Sequence, residues 1–179
     1  MIFAPTHRSY IDFLLVSSIV FYYNMQVPYV CAGEDLMQMP GISDLLRASG
    51  AFFMRRTFRG DPLYKAIFTE YVTQLAADKA VMEFFAEGTR SRTNKMLTPK
   101  FGIISILTNA YFNKNCEEVT FIPTTINYTR TLEDSSFPGE LTGQQKVKES
   151  VNRVLKAAEV FKMNFGSIYV DFFEPINLS

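Results

Sequence analysis

Short apolar runs alternate along this chain with longer stretches whose apolar residues recur at helical spacing. Ile2-Phe3-Ala4-Pro5 reads as the end of a strand whose beginning is missing. Residues 9–24 follow as a helix apolar on most faces, and so are expected to be well buried. Val27 to Ala32 is a short run of β-formers, Gly33 to Gly41 is irregular, and Ile42 to Ser49 is a short helix. Ala51-Phe52-Phe53-Met54 predicts a strand ending on Arg55-Arg56. Asp61-Pro62 then opens a helix to about Asp78, with proline at a tolerated first position and Leu63, Ala66, Ile67, Tyr71 and Leu75 at helical spacing. Val81 to Phe85 is a strand, Ala86 to Lys100 a loop, Phe101 to Phe112 a helix and Val119 to Ile126 a strand. Residues 129–144 read as loop, 146–165 as helix and 167–173 as a closing strand. Such alternation implies right-handed βαβ units, hence an α/β fold with a largely parallel (mixed) sheet flanked by helices. No repeat or linker is visible, so residues 1–179 are expected to form a single domain. The missing strand start suggests chain before residue 1.

Composition narrows the class. Apolar residues are 47 % and aromatics 15 %, a greasy but globular balance. Net charge is zero yet unevenly spread. Residues 47–100 carry ten basic and five acidic side chains, while 1–46 carry one basic and four acidic. A positive middle between acidic ends suits an anionic small ligand or a membrane headgroup better than a nucleic acid; a merely solvated face is the alternative. Cys31 and Cys116 show no Cys-x-x-Cys spacing, which argues against a disulfide framework or zinc site and for free thiols. The longest apolar stretch, Phe13 to Tyr23, is about half what a bilayer span needs, and no basic region precedes it as in a signal peptide. Its end, Phe21-Tyr22-Tyr23, reads first as core and second as a lipid contact.

The chemistry starts at residues 5–12, Pro-Thr-His-Arg-Ser-Tyr-Ile-Asp. His7 is the one histidine in the chain, and histidine is the side chain that exchanges a proton near neutral pH. On a continuous helix His7 and Asp12 would point about 140° apart. They meet only if His7 lies in the loop before the helix and Asp12 in its first turn. Ser9-Tyr-Ile-Asp12 predicts Ser9 as the N-cap. Asp12 then has two readings: partner of the imidazole, or completion of the cap at the positive helix end. Ligands bind such sheets at the strands' carboxyl ends, and two more polar clusters fall there: Arg55-Arg56 and Glu87-Gly-Thr-Arg-Ser-Arg92. Guanidinium forks suit phosphate, Gly88 admits close backbone approach, and Thr89 and Ser91 offer hydroxyls. Glu87 is equally readable as a structural counter-ion for an arginine.

Taken in order, His-x-x-x-x-Asp, Gly-x-x-Phe-x-x-Arg, Phe-x-Glu-Gly-Thr-Arg-Ser and the proline-bearing strand Phe121-Ile122-Pro123 resemble the glycerol-phosphate acyltransferase superfamily over nearly the whole chain. Ser49 to Phe58 and Asn164-Phe-Gly-Ser-Ile168 look most like the branch that acylates dihydroxyacetone phosphate, though the glycerol-3-phosphate branch shares the His-Arg-Ser and Glu-Gly-Thr-Arg-Ser-Arg cores. Ala86 stands where many members carry proline or leucine. The resemblance implies a glycerolipid acyltransferase-like fold and acyl-CoA as co-substrate, with no other cofactor and no metal. His7 would be general base, oriented by Asp12. Arg56 and Arg90 would hold the acceptor phosphate beside Gly88, Thr89 and Ser91. Phe53 would pack under Arg56, Glu87 would position an arginine or the acceptor, and Pro123 would shape the acyl or CoA side. It also implies peripheral membrane contact and a peroxisomal location on the lumenal side, although the final Asn-Leu-Ser is no peroxisomal address. A lipid- or phosphate-binding module without turnover is the reading from a different class. A hydrolase is disfavoured, since no Gly-x-Ser-x-Gly elbow occurs.

Overall fold

The computed structural model describes residues 1–38, 41–131, 133 and 166–178; the expected helix 146–165 and most of the loop 129–144 lie outside them. Its elements run β1 (Ile2–Pro5), α1 (Asp12–Tyr22), β2 (Tyr29–Gly33), a 3₁₀ turn (Glu34–Gln38), α2 (Ile42–Ala48), β3 (Ala51–Met54), α3 (Pro62–Ala77), β4 (Met82–Glu83), α4 (Gly102–Phe112), β5 (Val119–Tyr128), β6 (Ile168–Phe172) and β7 (Ile176–Leu178). They form an α/β fold around one sheet in the order β3-β2-β4-β1-β5-β6, with β7 also paired to β5. β1 to β5 pair in parallel; β6 and β7 join β5 antiparallel. The sheet is therefore mixed and mostly parallel.

Strand alternation sends successive side chains to opposite faces, and each face is covered. Ile2 and Met82 point toward Phe68, Val72 and Leu75 of α3 and Ile103 and Leu107 of α4. Phe3 and Val81 point the other way, toward Val16 and Val20 of α1 and Ile122 and Ile126 of β5. Burying two such faces supplies the driving force for the fold, at about 25 cal/mol per Å² of apolar surface. α3 begins as expected: Pro62 takes the first position and the Asp61 carboxylate accepts the Tyr64 N–H at 2.9 Å.

α1 departs from expectation twice. It starts at Asp12, with Ile11 as an N-cap that makes no side-chain bond, so Ser9 is not the cap. It also buries one stripe only. Asp12, Val16 and Val20 are inside, whereas Phe21, Tyr22 and Tyr23 are 71 %, 79 % and 68 % exposed. The helix lies on one face of the sheet, so its apolar outer side has nothing in the sheet to cover it. β7 was not expected either; three residues with one apolar pair carry too weak an alternation to mark a strand.

Candidate active site

Because β3, β2, β4 and β1 are adjacent and parallel, the turns that leave β1, β3 and β4 emerge on one edge of the sheet. The turn after β1 carries His7. Its Nδ1 lies 2.8 Å from Asp12 Oδ2, with Asp12 fully buried in the first turn of α1. The same Oδ2 accepts the backbone N–H groups of Arg8 at 2.6 Å and Ser9 at 2.9 Å. The Tyr128 hydroxyl, from the end of β5, donates to Oδ1. Surrounded by donors, the Asp12 carboxylate is placed as an acceptor, an arrangement that favours the His7 tautomer with its N–H at Nδ1. The one carboxylate thus ties down the backbone before the helix and pairs with the imidazole, without completing a cap on Ser9. Phe85, at the end of the β4 run, stacks on the His7 ring with centroids 4.2 Å apart, fixing the ring plane.

The turn after β4 is laced to that of β1 by buried polar groups. Glu87 accepts from Arg8 Nη1 at 2.9 and 3.1 Å, from the His7 N–H at 3.1 Å and from the Leu97 N–H at 3.0 Å. Ser91 N–H returns a bond to the His7 carbonyl at 2.8 Å. Glu133 completes the lacing: it accepts from Ser9 Oγ at 2.9 Å, from the Tyr10 N–H at 2.7 Å and from Arg90 Nη1 at 3.0 Å. The Arg90 guanidinium lies 3.5 Å over the Tyr10 ring. At the β3 turn Arg56 pairs with Asp35, whereas Arg55 pairs with Asp61 and covers Tyr64.

Between these turns opens a cavity of about 250 Å³. Its lining is part cationic, from Arg56, Arg90, Arg92 and Lys100 with Gly88 and Thr89, and part apolar, from Val30, Ala32, Leu46, Met54 and Ile103; His7 lines it as well. Cys31 also lines it, its thiol pushed up to about 12 by burial and thus held protonated. Among the described residues no group of three or more His, Cys, Asp or Glu is placed to hold a metal ion.

Phe53, Ser91 and Pro123 stand off the cavity, and Glu87 takes the first of its two expected tasks, positioning an arginine. Phe53 faces Arg47 of α2, with the guanidinium 5.7 Å from its ring, and does not line the cavity with Arg56. Glu87 is turned inward to Arg8, the counter-ion reading, because only an anion there offsets a 4 % exposed guanidinium. Ser91 is fully buried and off the cavity, its hydroxyl without a hydrogen bond among the described residues; its backbone makes the contact instead. Pro123 also stands away from the cavity. It falls where β5 changes partner from β7 (at Phe121) to β6 (at Thr124), the one place in the strand where a missing N–H costs least. Conversely, Arg8, Tyr128, Glu133 and Lys100 belong to the site without having been expected there: Arg8 lies in the His-Arg-Ser core but was given no role, and the other three fall in no motif. Tyr128 and Glu133 act across 116 and 124 residues of sequence, a separation that no local pattern records.

A mostly parallel sheet thus carries, at one edge, an imidazole–carboxylate couple beside a cavity lined by arginines. The acyltransferase family model matches residues 1–127, and the chain belongs to that family. The model of the glycerol-3-phosphate acyltransferase C-terminal region matches residues 138–179. The chain is 48 % identical over 179 residues to the dihydroxyacetone phosphate acyltransferase of Mus musculus and 46 % to that of Homo sapiens, covering 99 % of this chain and 26 % of each relative. It is 44 % identical to a glycerol-3-phosphate acyltransferase of Pseudomonas putida, covering 100 % of this chain and 22 % of the relative. The chain thus spans about a quarter of the length of the curated relatives it matches. Its fold is similar to the crystal structure of the 1-acyl-sn-glycerophosphate (LPA) acyltransferase, PlsC, from Thermotoga maritima, with TM-score 0.57 and 18 % identity, covering 99 % of this chain and 55 % of that one.

Proposed function

We propose that this chain carries the catalytic site of an enzyme that transfers a fatty acyl group from acyl-CoA to the hydroxyl of dihydroxyacetone phosphate. The observation that carries the reading is the His7–Asp12 couple, 2.8 Å apart, with His7 lining a cavity that is also lined by arginines and by apolar side chains. In this reading His7 Nε2 takes the acceptor's hydroxyl proton while Asp12 stabilises the imidazolium through Nδ1. The acceptor oxygen forms its bond to the thioester carbonyl carbon. The tetrahedral intermediate collapses, the carbon–sulfur bond breaks, and the imidazolium returns its proton to the CoA thiolate. No acyl-enzyme is needed, and Cys31 is poorly suited to one, since its thiol is held protonated. Arg56 and Arg90, with Gly88 and Thr89, bind the acceptor phosphate, and the apolar part of the lining takes the start of the acyl chain. Holding both substrates in line contributes up to roughly 7–11 kcal/mol, and the base about 10²–10⁴-fold more.

Glycerol 3-phosphate is the second candidate acceptor, favoured by the Pseudomonas relative and the match to residues 138–179. A radiolabelled acyl-CoA assay with the two acceptors side by side decides between them. Higher kcat/KM with dihydroxyacetone phosphate is expected; preference for glycerol 3-phosphate transfers the assignment, and turnover of neither overturns it in favour of a binding module. The reading also carries peripheral membrane contact and a peroxisomal location, which fluorescent tagging of the full-length protein tests against a peroxisomal marker.

A further inference from the structure

The four cations of the cavity lining are not equivalent. Arg56 is held by Asp35, Arg90 by Glu133, and Arg92 is also engaged. The Lys100 ammonium has no hydrogen bond or ion pair among the described residues, although the side chain is exposed on the cavity. Its place is nevertheless fixed from behind. The Lys100 N–H donates to the Ala86 carbonyl at 2.7 Å, closing the loop 86–100 onto its own start. The side chain then runs across Gly88. A Cβ built on Gly88 would lie 3.0 Å from Lys100 Cδ, 3.1 Å from Nζ and 3.3 Å from Cε, and Gly88 has φ +65°, where side chains are disfavoured. A backbone turn stripped of its side chain thus seats an ammonium in the cavity that His7 also lines.

We propose that Lys100 binds the phosphate monoester of the acceptor, and that Gly88 is a glycine because Lys100 must lie across it. The assignment rests on the acyl-transfer reading for the identity of the acceptor, and adds a residue that the shared motifs leave out. A lysine paired with no acid among the described residues has its donors available to an incoming phosphate, whereas Arg56 and Arg90 share theirs with Asp35 and Glu133. The donor carries phosphates too, so the source is a matter for the test. Proximity selects the acceptor: the Gly88 turn is tied to His7 through Glu87 and Ser91, and a three-carbon acceptor must reach the base and its phosphate site together.

The test is steady-state kinetics of Lys100→Met, Lys100→Arg and Gly88→Ala in the full-length protein. Lys100→Met is expected to raise the acceptor KM roughly tenfold to a hundredfold, the usual value of a charge-assisted bond. Its kcat should stay within about threefold, with the acyl-CoA KM unmoved. Lys100→Arg should restore most of the loss, and competitive inhibition by inorganic phosphate should weaken by the same factor as acceptor binding. Gly88→Ala should raise the acceptor KM alone but add little to Lys100→Met. An unchanged acceptor KM in Lys100→Met, or a rise confined to acyl-CoA, overturns the assignment. If the wild type turns over neither acceptor, the acyl-transfer reading fails by itself. Glycerol 3-phosphate titration by NMR then decides on Lys100, equal affinity for wild type and Lys100→Met refuting it.

Discussion

An imidazole works as a base only with one nitrogen held and the other open, and His7 is in that state: Nδ1 on Asp12, the ring flat against Phe85. His7→Ala is therefore expected to lower kcat by roughly 10²–10⁴-fold with the circular dichroism spectrum and acyl-CoA affinity retained; near wild-type turnover would remove His7 from the chemistry. Tyr128→Phe deletes the hydroxyl that donates to Asp12. Loss of a bond to a charged group should cost about 1.5–3 kcal/mol in urea unfolding, with a smaller kcat loss than His7→Ala; unchanged stability refutes that role. The His7–Asp12 pairing was legible in the sequence because a five-residue spacing leaves two partners one geometry in which to meet. Tyr128 was not, since a tyrosine at the end of a strand looks like any aromatic half in the core.

At the scale of elements, the site is two turns, after β1 and after β4, bound into one body by Glu87, Ser91 and Glu133. Cutting the Arg8–Glu87 pair leaves a buried, uncompensated guanidinium. Glu87→Ala should thus cost about 3–5 kcal/mol, read as a drop in urea midpoint, with activity lost through the fold; a soluble, equally stable variant would contradict this. Helix α3 and the cation-bearing turns were legible from Pro62, Asp61 and the Gly-Thr-Arg-Ser run, all local signals. The start of α1 was not. Ser9 has the right residue type for a cap, but Glu133 takes its hydroxyl and Asp12 takes its N–H. A distant acid outcompeted the local rule.

Across the whole molecule, one buried charge stands out. Glu83 lies in β4 between β1 and β2, fully buried, with neither oxygen hydrogen-bonded among the described residues. Burial first, and the charge of Asp12 second, push its carboxyl well above the ordinary 4.5. The raised value means its contribution to stability is full below about pH 4.5, where both states are protonated. It declines above that, where the unfolded chain sheds a proton that the folded one retains. Glu83→Gln should accordingly raise Tm at pH 7 and leave it nearly unchanged at pH 4; an equal shift at both values would refute it. The α/β class and the mostly parallel sheet were legible in the alternation of strand and helix patterns. The order of the strands, with β4 returning between β2 and β1, was not, because crossovers leave no mark on a single strand's composition.

β5 bears on how the polypeptide is made. One of its sides rests on β1, and the other receives residues 168–178, some forty positions downstream. During synthesis, at roughly 5–20 residues per second, the nascent strand would wait seconds with a bare row of amides and carbonyls, open to pairing with a neighbouring polypeptide. Chaperone dependence should therefore be concentrated in the interval before residues 168–178 leave the ribosome.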